Sequence, residues 1–158
     1  MTLSIRLFEM SDREAAVDLF LELNCHEFTL TGDRRTDRGG AEFCVDDMIQ
    51  ALGKGAVTLV AEAGGKVAGL MVWVAQTDEP YMEEAARRYG SVQDIVVAEA
   101  HRGKGIGRAL LAEAERLTRE AGMSRLKLTV LAGNDAAVTA YERAGYRDYA
   151  RVMLKTLA

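Results

Sequence analysis

The chain has 158 residues, of which 49% are hydrophobic and 28% charged, with a formal net charge of −4 at pH 7. That length fits one compact domain, 1–158, burying roughly two-thirds of its unfolded surface, and a single proline among scattered glycines leaves no room for a long disordered tract. The acidic balance argues against nucleic acid as the partner, since a phosphate-backbone binder gathers basic residues on one face, and no run of about eighteen apolar residues provides a membrane span.

Met1 to Phe8 lacks the apolar core and small-residue cleavage site of a signal peptide, so the expected compartment is the cytoplasm. Cys25 and Cys44 have no metal-ligand spacing and sit beside apolar neighbours. They read as reduced packing residues, with a disulfide or a cysteine nucleophile as the alternative. His26 and His101 belong to no ligand-spaced cluster, and no metal is expected.

In chain order, Leu3 to Phe8 alternates as a strand, and Ser11 with Glu14 forms a capping-box pattern opening a helix to about Leu23. His26 to Gly40 is polar without apolar periodicity and is expected as a mobile loop. A second helix is expected over Glu42 to Leu52, with Phe43, Met48, Ile49 and Leu52 on one face and Gly53 and Gly55 ending it. Val57–Glu62 and Val67–Val74 are β-rich runs joined by Gly64-Gly65, a hairpin signal. After Pro80, Tyr81 to Tyr89 is either a short helix or an irregular insertion leading to a strand over Val92 to Val97.

A glycine run follows, then an amphipathic helix from Ile106 to Ala121 with Leu110, Leu111, Ala114 and Leu117 on one face, stopped at Gly122. Leu126 to Leu131 is the next expected strand, Ala136 to Ala144 a helix, and Tyr146 to Leu157 one or two closing strands. The pattern is that of an α/β (α+β) fold: a single mixed, mostly antiparallel central sheet of six to seven strands flanked by helices.

In Arg102-Gly103-Lys104-Gly105-Ile106-Gly107-Arg108, glycines at alternate positions remove side chains where a strand gives way to a helix. The first turn of a helix carries unsatisfied N–H donors and about half a positive charge, so this run forms a phosphate cradle, with Lys104 and Arg108 adding charge at its rim. Two familiar phosphate loops fail to match. Lys104 is followed by Gly105 rather than a Walker-loop Ser or Thr, and no register of the glycines satisfies Gly-x-Gly-x-x-Gly.

Arg102, Gly105 and Gly107 do fit Arg/Gln-x-x-Gly-x-Gly/Ala, and in this the chain resembles the GNAT superfamily of N-acetyltransferases. The resemblance runs from about Val92 to Leu157, with Asp94-Ile95-Val96-Val97 before the loop and Asn134, Ala137 and Tyr141-Glu142-Arg143-Ala144-Gly145-Tyr146 after it. It implies the GNAT fold and acetyl-CoA as co-substrate. The coenzyme would be held by the main chain of Val96 and Val97 and by Arg102, Gly103, Lys104, Gly105, Ile106, Gly107 and Arg108. Asn134, whose plain reading is a helix N-cap, would in addition contact the pantetheine arm.

The resemblance further implies direct transfer of acetyl to a primary amine. An alkyl ammonium with a pKa of about 10.4 must lose a proton first, at a cost of roughly 4–5 kcal/mol at pH 7. Asp94 is the leading candidate base; it reads equally as a structural hydrogen-bonding residue, and Glu99 or a chain of carbonyls and water are the other options. Many members have a glutamate where this chain has Gln93. The Val97 N–H would meet the thioester oxygen, and Tyr141, seven residues after Asn134 and so on nearly the same helix face, would protonate the departing thiolate or else serve only in packing.

The acceptor would be a small-molecule amine, or a peptide or protein amine, selected by His26–Gly40 and Thr77–Tyr89. A longer acyl-CoA donor, and a coenzyme sensor without catalysis, are the alternatives. A homodimer formed through late strands is an expectation carried by the resemblance alone.

Overall fold

The computed structural model describes residues 2–157. Strand β1, Leu3–Leu7, is followed by a short 3-10 turn and helix α1, Arg13–Thr31. The expected Ser11–Glu14 capping box does not set this entry. The buried Asp12 carboxylate does, accepting from the Glu9 N–H at 2.9 Å and from both terminal nitrogens of Arg6 at 2.7 and 2.9 Å. Charge-assisted bonding to Arg6 holds Asp12 below the usual carboxylate range.

Helix α1 corrects the expected loop over His26 to Gly40. It continues to Thr31 and closes at Gly32, whose N–H donates to the Phe28 carbonyl at 2.8 Å. Helix α2, Arg38–Leu52, begins four residues earlier than Glu42, because the Asp37 carboxylate accepts from the Gly40 N–H at 2.9 Å as an N-cap. Its buried face is Ala41, Val45 and Met48, while Phe43, expected inward, is 70% exposed.

Strands β2, Val57–Ala63, and β3, Lys66–Thr77, form the expected hairpin through Gly64-Gly65. Between Pro80 and the next strand lies only the short helix α3, Glu84–Arg87. Strand β4 runs Arg88–Val97, four residues longer at its start than the sequence suggested. Helix α4, Ile106–Glu120, then crosses back so that β5, Leu126–Leu128, pairs parallel to β4. Helix α5 spans Asp135–Arg143.

The sheet order is β1-β2-β3-β4-β5, antiparallel except for the last pair. Alternate side chains of β3 feed two cores: Leu70 and Val72 pack with Val17, Phe20, Val45 and Met48 of α1 and α2, whereas Met71 and Trp73 pack with Ile106, Leu110 and Ala114 of α4. Trp73, read from sequence as core, is buried there and donates from Nε1 to Thr118 Oγ1 at 3.0 Å.

The sheet therefore has five strands among the described residues, not six to seven. Tyr146 to Leu157 forms no strand despite its alternation, and Val152, Met153 and Leu154 are at least 90% exposed. A period-two pattern needs an edge to pair with, and β5 offers three residues. Tyr149 instead rests against two cations of the β5 region, Arg125 and Lys127, each 5.1 Å from its ring centroid.

Candidate active site

The parallel pair β4–β5 is closed at one end and open at the other. Gly90, Ser91 and Val92 face Leu126, Lys127 and Leu128, and pairing then stops. Beyond that point β4 runs on to Val97, and the chain after β5 passes Thr129 to Leu131 without pairing to it. A cavity occupies the gap, lined by Glu27, Asp94, Ile95, Leu131, Asn134 and Tyr141 among others. It lies at the carboxyl ends of two parallel strands, where open α/β sheets present their crevices.

A bulge decides which way Asp94 points. Val72 faces Asp94 and Trp73 faces Val92, so Gln93 is an extra residue without a partner on β3. Were the strand regular there, with no bulge, Val92 and Asp94, two residues apart, would share one face of the sheet. With it, Val92 stays in the α4 core and Val96 joins the core of α1 and α2, and Asp94 turns with Val96 toward α1 and α2. There burial raises its pKa to about 6, with further upward contributions from the charges of Glu27 and Asp47. Gln93 itself is exposed and donates to Ser91 Oγ at 2.7 Å.

The glycine run forms a loop that begins with a 3-10 turn over Glu99–His101, so strand and helix are not joined by glycines alone. Gly103 has φ 74° and Gly105 φ 83°, a left-handed conformation that side chains rarely adopt, and a Cβ at either position would meet nothing within 4 Å. Gly105 is the N-cap of α4 and brings no side chain to its own helix end. The first helical bond runs from the Ala109 N–H to the Gly105 carbonyl at 3.0 Å, which leaves the N–H groups of Ile106, Gly107 and Arg108 without acceptors inside the helix. Gly107 serves differently: its Cβ would lie 3.8 Å from Val97 Cγ2.

Of the three cations in the run, two are turned back onto the protein. Arg102 Nε donates to the Val97 carbonyl at 3.1 Å, and its guanidinium lies 3.8 Å from Glu22. Lys104 Nζ donates to the Ala100 carbonyl at 2.8 Å. Arg108 is exposed and makes no ion pair among the described residues. The Ala98 N–H donates to Ala68 across the β3 side at 2.9 Å. Strand alternation then turns the main chain of Val97 to the opposite edge of β4, away from β3, where Arg102 reaches its carbonyl; Val96 and Val97 lie outside the cavity lining.

Asn134 caps α5, its carboxamide oxygen accepting from the Ala137 N–H at 3.3 Å. Two turns later Tyr141 stands on the same face, edge-on to Tyr146 with centroids 6.0 Å apart. Burial, reinforced by Glu27, raises the Tyr141 pKa, keeping its phenol protonated at neutral pH. Asp94, Asn134 and Tyr141 thus meet at one cavity, whereas Glu99 sits outside its lining. Cys25 and Cys44 are free, and burial raises the Cys44 thiol, opposite to what a nucleophile needs.

Glu27 escaped the sequence reading. It lines the cavity from α1 and is held by Arg34, with Nε 2.7 Å from Oε2. The signal was present: Phe20, Asn24 and Glu27 follow the helical spacing of one α1 face, and Phe20 and Asn24 are buried. A glutamate continuing a buried face is a functional cue.

The acetyltransferase (GNAT) family model matches residues 17–146, and the chain belongs to this family. Streptothricin acetyltransferase of Streptomyces lavendulae is 46% identical over 56 residues, 35% of this chain and 30% of that protein. Across the curated relatives the matched stretches cover between 19% and 52% of the relatives' own lengths. A solved structure from Bacillus halodurans superposes with a TM-score of 0.82 at 23% identity, covering 98% of this chain and 99% of that one. An aminoglycoside N-acetyltransferase solved in complex with CoA superposes with a TM-score of 0.72 at 15% identity, covering 99% and 95%. These two likenesses concern the fold.

Proposed function

We propose that this protein, acting as one domain, transfers acetyl from acetyl-CoA to the primary amine of a small molecule by direct attack within a ternary complex. The observation that carries the proposal is the convergence of Asp94, Asn134 and Tyr141 on the gap that opens between β4 and the chain after β5. The relative named above as a streptothricin acetyltransferase supports a small amine as acceptor.

The residues fit the co-substrate. The uncapped first turn of α4 offers the N–H groups of Ile106, Gly107 and Arg108 to a pyrophosphate, and the open space at Gly103 and Gly105 admits it to the main chain. Arg102 and Lys104 hold that loop in shape, and Arg108 supplies rim charge. The edge of β4 at Val96 and Val97, with Asn134 opposite, flanks the narrower arm. Acetyl-CoA, when bound, supplies a thioester activated for acyl transfer.

Asp94 accepts the proton the amine must lose. A carboxylate with a pKa near 6 is closer to an ammonium of about 10.4 than an ordinary aspartate of about 3.9, so the transfer is less uphill. The amine nitrogen bonds to the carbonyl carbon while the carbon–sulfur bond breaks. The Val97 N–H, on the edge of β4 turned away from β3, stabilises the oxygen that gains charge. Tyr141 gives its phenolic proton to the departing sulfur, the second proton that the nitrogen sheds as the amide forms restores the phenol by way of solvent, and the proton on Asp94 returns to solvent.

The test is thiol release from acetyl-CoA across a panel of small primary amines. Release dependent on at least one amine, with acetylated product in equal amount, is expected. Coenzyme binding without release on any amine would replace catalysis by sensing.

A further inference from the structure

We propose that Glu27, fixed by Arg34, is a specificity-determining residue that receives a second positive charge on the acceptor, so that the preferred substrates are amines carrying another cationic group and not a carboxylate or phosphate. The inference rests on the activity proposed above. It begins with charge. Among the cavity-lining residues, Glu27 and Asp94 are the formally charged ones, and both are acidic. Arg34 binds Glu27 through Nε at 2.7 Å and Asp33 through Nη1 at 2.7 Å, so its own charge is already committed to carboxylates.

The two carboxylates have separate duties. Asp94 must be free to take a proton from the reacting nitrogen, and no hydrogen-bond partner ties it down among the described residues. Glu27 is held in one position, and one of its oxygens, Oε2, is taken by the guanidinium. Its other oxygen remains to accept from an ammonium, a bond stronger than a neutral one. An acceptor whose reacting amine approaches Asp94 then carries its second cation toward α1. An acceptor with an anionic substituent in that place meets Glu27 and Asp47 as like charges, for Asp47 also acts on Asp94 from α2. Arg34 belongs to the segment between α1 and α2, so that segment governs selectivity by holding Glu27 still.

Three amines of equal chain length test this: propylamine, 1,3-diaminopropane and β-alanine, each with the full-length protein and acetyl-CoA. The diamine is expected to exceed propylamine at least tenfold in kcat/KM, with β-alanine the poorest of the three. Glu27→Gln should bring the diamine and propylamine within threefold through KM, leaving the KM for acetyl-CoA unchanged, while Glu27→Asp retains part of the preference. A diamine preference that survives Glu27→Gln would overturn the inference.

A second readout needs no turnover: calorimetric titration of 1,3-diaminopropane into the CoA-saturated protein. Binding lost in Glu27→Gln supports the inference even if no acetyl is transferred, in which case only the proposed activity falls. Absence of diamine binding in the parent overturns the inference whatever the activity.

Discussion

At its Arg88–Val92 end β4 is sealed, and at its Asp94–Val97 end it is open. The sealed end is flanked by β3 and β5, and Gly90 there lies so close to its neighbours that a Cβ would come within 2.1 Å of Thr118 Oγ1 and 2.6 Å of Trp73 Nε1. Those two atoms form the buried Trp73–Thr118 hydrogen bond, and Thr118 in turn donates to the Ala114 carbonyl at 2.7 Å. The open end has lost its parallel partner and turned an acid inward. One inserted residue, Gln93, separates the two regimes. The lesson is that a strand can serve stability over half its length and chemistry over the other half, provided a bulge resets which face each residue meets.

Two substitutions should break the comparison in opposite ways. Asp94→Asn removes the proposed base at the open end, and kcat/KM for the amine should fall by about 10²–10⁴-fold, with the melting temperature held or raised because an unpaired, half-buried carboxylate is gone. Gly90→Ala at the sealed end should do the reverse. Relieving its contacts means displacing Thr118 or Trp73, at a cost of about 3 kcal/mol, which for a domain of this size lowers the melting temperature by roughly 6–12 °C. Scanning calorimetry beside steady-state kinetics checks both.

Tyr141→Phe should have a smaller effect, a fall in kcat of about 10²-fold at most with coenzyme affinity retained, since a thiolate leaves tolerably without a proton donor. The pH profile sharpens the electrostatic part. Asp94 must be ionised to accept a proton, so kcat/KM should rise through about pH 6 and be lost below it. Glu27 faces it from α1, Asp47 from α2 and Tyr141 from α5. Glu27→Gln removes a negative charge that raises the Asp94 pKa, so the acidic limb should move to lower pH. A limb that stays in place would mean that another group is being titrated.

Much of this was legible in the chain. The Gly64-Gly65 hairpin, the amphipathic α4 and the phosphate-type turn before it all follow from local rules, because each needs a residue type at a fixed offset. What was not legible depends on distant partners. The last two turns of α1 look like a loop because Glu27 stands where an apolar residue would continue the periodicity, and the reason is the cavity beside it. The bulge at Gln93 carries no glycine to announce it and emerges only from the register against β3. Tyr146 to Leu157 has the alternation of a strand, but alternation does not reveal that β5 is three residues long. Asn134 and Tyr141 were readable together because a helix fixes their common face.

The central claim is that the loop before α4 receives the coenzyme, and thermal melting with and without saturating acetyl-CoA tests it most directly, beside a Gly105→Glu variant. At about a hundred times the dissociation constant, binding adds roughly 2.7 kcal/mol, or about 5–10 °C for a domain of this size. Glutamate at Gly105 would put a carboxylate against the α4 N-terminus on a backbone with φ 83°. The account predicts a shift in the parent that the folded variant lacks. A well-folded parent that melts at the same temperature with and without acetyl-CoA would contradict it.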